Sequence, residues 1–113
     1  MRNIIVFLLL MLSAGAPVQT FADDAARYIR EAEYYQKKAD SYRREAAYYL
    51  KKAESYQREA AYYTKKGNVD RAKNYQRDAS RAMDDYKRQL NYAAKAEEKA
   101  ADYLKRAEKA TRK

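Results

Sequence analysis

The chain contains no cysteine, no histidine and no tryptophan, and only two glycines and one proline. Each absence removes a class of function. Without cysteine there is no disulfide framework, no thiol nucleophile and no acylated lipoprotein anchor. Without histidine there is no imidazole base, and without both residues there is no zinc site of the usual ligand set and no haem held by His. Ser41, Ser55, Ser80, Thr64 and Thr111 therefore have no His partner to activate them. The two glycines build no phosphate-cradling loop. The acid pairs Asp84-Asp85 and Glu97-Glu98 are adjacent on a helical pattern, so their side chains diverge and do not close on one metal. These absences predict a non-enzyme with no cofactor, no metal and no small-molecule substrate.

Long apolar runs are also scarce. The one such run, Ile4 to Leu12, is nine residues long and too short to span a bilayer. Arg2 precedes it, and Thr20-Phe21-Ala22 stands before Asp23-Asp24, so residues 1–22 read as a cleaved secretory signal peptide. An uncleaved N-terminal anchor is the alternative. The signal predicts a secreted protein, periplasmic or extracellular. Removing it takes away both phenylalanines and the single proline, leaving residues 23–113 with a net charge of 24 − 16 = +8 and only tyrosine as aromatic.

What remains is repetitive. Glu31–Arg44 reads EAEYYQKKADSYRR, Glu45–Arg58 reads EAAYYLKKAESYQR, and Glu59–Lys66 begins a third copy. Fourteen residues make two heptads, so the repeat fits a helix. Ala32, Ala39, Ala46, Ala53 and Ala60 recur every seventh position, and Tyr35, Tyr42, Tyr49, Tyr56 and Tyr63 stand three residues after each. That alternating 3,4 spacing sets both series on one stripe, a coiled-coil-like seam of small and large side chains. Tyr34, Tyr48 and Tyr62 lie on the flank of the seam and predict an exposed aromatic row. Lys37, Arg44, Lys51, Arg58 and Lys65 form a basic rail. Glu33, Asp40 and Glu54, four residues before Lys37, Arg44 and Arg58, predict ion pairs along the same helix.

The repeat stops at Gly67-Asn68-Val69-Asp70. Gly67 suits a left-handed C′ position, and Asn68 or Asp70 can cap a second helix. The seam then resumes in a new phase, with Tyr75, Tyr86 and Tyr103 as its large members and Met83, Leu90 and Leu104 widening it on one side. The pattern predicts an all-α fold: helix 1 over 23–66, a turn at 67–70 and helix 2 over 71–113, paired as a long antiparallel helical hairpin. A single helix broken weakly at Gly67 is the alternative.

Tyr63, Gly67, Ala72 and Ala79 fall at spacings where this stretch resembles the helix–turn–helix unit of tetratricopeptide repeats. The match covers one repeat, the family's terminating proline is missing and its period of about 34 residues does not recur. The resemblance implies a helical hairpin and carries no peptide-binding groove with it.

Six large aliphatic residues in 91 are too few for an ordinary core, so the sequence points to self-association. The expected function is a structural homo-oligomer, in bundles or filaments. The seam residues Tyr35, Tyr42, Tyr49, Tyr56, Tyr63, Tyr75, Tyr86 and Tyr103 would carry it, with the flank row Tyr34, Tyr48 and Tyr62. The alternative is binding to an extracellular anionic polymer (DNA, lipopolysaccharide or acidic polysaccharide) through the basic rail, with tyrosines stacking on unpaired bases. Charge transfer along the tyrosines is a third reading, without any redox centre in the sequence to serve.

Overall fold

The structure, a computed structural model, describes residues 19–112, with side chains from Asp23 onward. Most of the predicted signal peptide, residues 1–18, lies outside the described residues. The described chain is all helical: α1 is Gln19–Lys65 and α2 is Val69–Arg112. Alanine, glutamate, lysine, arginine and glutamine dominate both, all strong helix formers, and neither described helix contains proline. The pairing is antiparallel.

The connection is short because its residues are used twice. Gly67 adopts a φ of +77°, the left-handed region that glycine enters without a Cβ penalty. Its N–H donates to the Thr64 carbonyl (3.1 Å), and the Asn68 N–H reaches back to the Tyr63 carbonyl (2.9 Å). These two bonds form a Schellman motif, which satisfies two of the last carbonyls of α1, those of Tyr63 and Thr64. Asn68 also opens α2: its side-chain oxygen accepts from the Arg71 N–H (3.2 Å) and its carbonyl accepts from the Ala72 N–H (3.1 Å). It is therefore the N-cap of the second helix, with Asp70 following in the first turn where the helix dipole favours an acid. Arg71 then lies over the Tyr63 ring (5.3 Å) and donates to the Tyr63 hydroxyl (3.1 Å), fastening the first turn of α2 to the last turns of α1.

Both helices contribute to two compact units. The turn unit, residues 40–93, is a helical hairpin. Its buried residues are alanines: Ala46, Ala53 and Ala60 from α1, and Ala72, Ala79, Ala82 and Ala93 from α2. A methyl group is the largest side chain these positions hold, so the backbones approach closely and the space beside them is filled by rings. Tyr75 stacks on Tyr63 with centroids 5.6 Å apart and planes 4° from parallel. Its other neighbour, Tyr56, is 6.2 Å away. Tyr42 meets Tyr92 at 5.4 Å.

The terminal unit comprises the described residues up to Ala39 and from Ala94 onward. Ala25, Ile29 and Ala32 pack with Ala100, Leu104 and Ala107 in one cluster, bordered by Tyr28, Tyr35 and Tyr103. Here the three-ring arrangement recurs: Tyr103 stacks on Tyr35 (5.8 Å, 8°) and on Tyr28 (6.2 Å, 28°). Each such pair contributes about 0.5–1.5 kcal/mol beyond its buried area. Among the described residues, Ile29 is the one large side chain that is fully enclosed. Among the described residues no polar or charged side chain is buried, so neither unit carries a desolvated charge.

Candidate functional site

The fourteen-residue repeat builds the same surface group three times along α1. In the first copy the Tyr34 ring meets Tyr35 edge-on at 5.2 Å, and the Lys38 ammonium sits 5.3 Å from the centre of the Tyr34 ring. In the second, Tyr48 meets Tyr49 at 5.4 Å with Lys52 5.3 Å from the Tyr48 ring. In the third, Tyr62 meets Tyr63 at 5.1 Å with Lys66 5.5 Å from the Tyr62 ring. The geometry follows from helical spacing: the flank ring leans on its sequence neighbour, and a residue four positions later lies one turn above it. Tyr34, Tyr48 and Tyr62 remain 52%, 53% and 52% exposed. Each group thus presents an accessible aromatic ring beside a fixed cation, with each cation–π contact worth about 0.5–1 kcal/mol at an exposed site.

The seam tyrosines behave differently. Tyr35, Tyr42, Tyr49, Tyr56, Tyr63, Tyr75, Tyr86 and Tyr103 are all half-buried. Tyr35 joins the Tyr103 stack, Tyr42 meets Tyr92, and Tyr56 and Tyr63 straddle Tyr75. Tyr49 is engaged by its neighbour Tyr48. Two members of this network escape the sequence pattern as first marked. Tyr28 stands seven residues before Tyr35 and takes the same seam position, a signal that was present in the heptad count. Tyr92 lies next to seam residue Ala93, and only the pairing of the two helices reveals that it faces Tyr42.

Lys52 shows how tightly the repeat places charge. Its pKa is raised above the ordinary 10.5, first by a hydrogen bond with Tyr48 and then by its electrostatic interaction with Tyr48 and Tyr56. It borders a shallow furrow with Tyr49, Tyr56, Asp78, Arg81 and Asp85. Further cations cover rings in the terminal unit: Lys99 over Tyr35 (5.3 Å), Arg27 over Tyr28 (5.0 Å) and Arg106 over Tyr103 (5.0 Å).

The rail residues Lys37, Arg44, Lys51, Arg58 and Lys65 are all exposed. The ion pairs expected to neutralise three of them do not form. Asp40 pairs with Arg43 at 2.8 Å instead of Arg44, because the shorter i,i+3 reach brings the planar guanidinium directly onto the carboxylate. Arg27–Asp24, Arg88–Asp85 and Arg112–Glu108 are likewise pairs within one helix. Among the described residues, no ion pair joins a rail cation to an acid. In the turn unit this leaves four successive cations, Arg44, Lys51, Arg58 and Lys65, at about 10.5 Å spacing along α1.

Among the described residues there is no group of three or more acidic, His or Cys side chains placed to hold a metal ion, and no helix is long and apolar enough to cross a membrane. What the arrangement offers chemically is contact: exposed rings, unpaired cations and close-packed alanine. No protein-family model, curated protein or solved structure matches the chain.

Proposed function

We propose that this chain is a secreted, non-enzymatic structural protein, periplasmic or extracellular, that self-associates into bundles or filaments. The observation that carries this reading is the composition of what each helix pair buries. Of the fifteen buried hydrophobic residues among those described, all but Ile29 and Leu104 are alanine. Burial of apolar surface contributes about 25 cal/mol per Å², and a methyl group offers little of it. The rings of the Ala/Tyr seam stay half-exposed along the edges of the helix pairs, and the flank row Tyr34, Tyr48 and Tyr62 is open. A second copy that covers these edges supplies the contact area that two helices cannot supply to each other. Residues 23–113, imaged by electron microscopy with light scattering alongside at low and high salt, test this reading. Ordered filaments or a discrete oligomer is the expected result. A monomer in every condition overturns it.

A second reading is favoured by one specific observation, the five exposed rail cations without an acid partner. On this reading the chain coats an extracellular anionic polymer, nucleic acid included. Lysine and arginine release the counterions condensed on the polyanion, and the lysine-flanked rings of Tyr34, Tyr48 and Tyr62 stack on unpaired bases. Adding DNA to the same imaging experiment separates the two: filaments that appear only with DNA place the polyanion first.

A further inference from the structure

Five of the six large aliphatic residues after Ala22 occupy one register position. Ile29, Leu50, Met83, Leu90 and Leu104 each stand four residues after a seam residue, namely Ala25, Ala46, Ala79, Tyr86 and Ala100. In an antiparallel helix pair, positions four after the seam on both helices fall on the same flank. Ile29 and Leu104 form such a cross-helix pair in the terminal unit, where they are enclosed, 1% and 6% exposed. Leu50 and Met83 are the equivalent pair in the turn unit, each displaced by 21 residues toward the turn, yet both are only half-buried. Leu90, one heptad beyond Met83, is 39% exposed. The same register is therefore covered in one unit and open in the other.

Met83 on this flank also borders a groove of about 490 Å³ within the turn unit, lined by Ala60, Ala61 and Ala79 together with the neutral polar Gln57, Thr64, Gln76 and Ser80. Of the ten residues that line it, only Asp84 and Lys87 are charged. In a chain with 36% charged residues and a net charge of +9, this lining is itself balanced, one acid against one base. Asp84 and Lys87 have opposite signs, lie three residues apart on α2, and neither makes an ion pair among the described residues.

From this we propose that the Leu50–Met83–Leu90 flank of the turn unit docks a second copy of this chain about a two-fold axis, with Asp84 of each copy facing Lys87 of the other. The proposal rests on the self-association reading and names its surface. A two-fold contact is self-complementary: whatever one copy presents at Asp84 it also presents at Lys87, so one pair of opposite charges generates two cross-copy pairs. The flank from Arg43, opposite Leu90, to Thr64 is about 32 Å long at 1.5 Å per residue, and two helices give it a width of about 20 Å. The resulting area of roughly 600 Å² per copy sits at the small end of specific interfaces, so the association is concentration-dependent.

Charge reversal tests the pairing in the full-length chain and, in parallel, in the chain lacking residues 1–22. D84K and K87D are each followed by light scattering and analytical ultracentrifugation over micromolar to millimolar concentration, with helicity monitored by circular dichroism. Both positions lie at the surface of the groove, so helicity is expected to hold. Each single variant, carrying like charges at both positions, is expected to weaken self-association about tenfold or more. An equimolar mixture of D84K and K87D chains restores it, because one chain then presents two cations and the other two acids. L90E weakens association in the same way, and E45K, at an exposed position on the opposite flank of the seam, leaves it unchanged. If the wild-type chain associates and the three flank variants associate equally well, the surface is wrong and the self-association reading stands. Single variants that weaken while their mixture stays dissociated overturn the two-fold pairing. A wild-type chain that remains monomeric at every concentration overturns both the surface and the reading it rests on.

Discussion

The Gly67 turn gives the sharpest test of how the two helices are held. At φ +77° the residue sits in the left-handed region, and an added Cβ meets nothing within 4 Å. The cost of Gly67→Ala is therefore conformational, with no steric part from neighbours. The left-handed conformation costs an L-residue about 1–2 kcal/mol. The loss of glycine's freedom in the unfolded chain returns about 0.4–1 kcal/mol of that. The net expectation is a destabilisation of roughly 0.5–1.5 kcal/mol, or a fall in Tm of roughly 5 °C for a chain of this size. D-alanine at the same position inverts the sign: it accepts positive φ without strain and keeps the unfolded-state gain, so it stabilises by about 0.4–1 kcal/mol. Urea and thermal unfolding by circular dichroism, at one fixed protein concentration so that association does not shift the midpoint, measure both. A neutral Gly67→Ala together with a destabilising D-alanine would refute the left-handed turn and with it the Schellman geometry.

The three-ring stacks predict matched losses: Tyr75→Ala and Tyr103→Ala should each destabilise by about 2–3 kcal/mol, two ring pairs plus buried area, while Tyr48→Ala on the open flank costs about 1 kcal/mol or less by the same unfolding assay. Enlarging the seam with Ala53→Leu should cost about 1–3 kcal/mol, since the buried methyl leaves no room for three more carbons and the helices must move apart. Neutralising Lys37, Arg44, Lys51, Arg58 and Lys65 to Gln should leave helicity intact, and any DNA affinity measured by titration should lose up to about five units of salt slope; an unchanged slope removes the rail from the binding reading. The Lys52 ammonium is favoured in the folded state by Tyr48, which raises its pKa, so its stabilising contribution is complete at neutral pH and is lost as pH rises through a value above 10.5. Lys52→Met should flatten the stability profile in that alkaline window and leave the acid limb unchanged.

Most of the architecture was legible because heptad spacing and burial have a common cause. A residue that recurs every seventh position on a helix returns to nearly the same face, so Ala32 through Ala60 had to be buried together if any of them was. Tyr34, Tyr48 and Tyr62, one residue out of phase, had to stay outside. Gly67 was legible as the turn because no other residue after Asp23 enters positive φ freely. The capping residue was open between Asn68 and Asp70, since both side chains can accept an N–H; the chain direction after Gly67 decides for Asn68. The lysines over the flank rings were written in the repeat as Tyr-Tyr-x-x-Lys, but a lysine at four residues also reads as an ordinary solvated charge. The rail's expected salt bridges failed where Arg43 competed for Asp40, a choice of rotamer that spacing alone does not settle. Tyr92 could not be read at all without knowing which residue of α1 lies opposite it.

The recurrence of the three-ring stack has a kinetic consequence. Tyr63 and Tyr75 are 12 positions apart in the chain, and Tyr28 and Tyr103 are 75 apart, yet both contacts belong to the same arrangement of side chains. Closing the longer segment on its own costs about 1.6 kcal/mol more in chain entropy, from the logarithmic dependence on loop length. The stack beside Gly67 is thus the one that forms unaided, and every heptad zipped from it shortens the segment left to close. The molecule is built to fold like a zipper started at its bend, and pulse-labelled amide exchange during refolding should record that order as protection appearing first beside Gly67 and later toward the far ends of both helices.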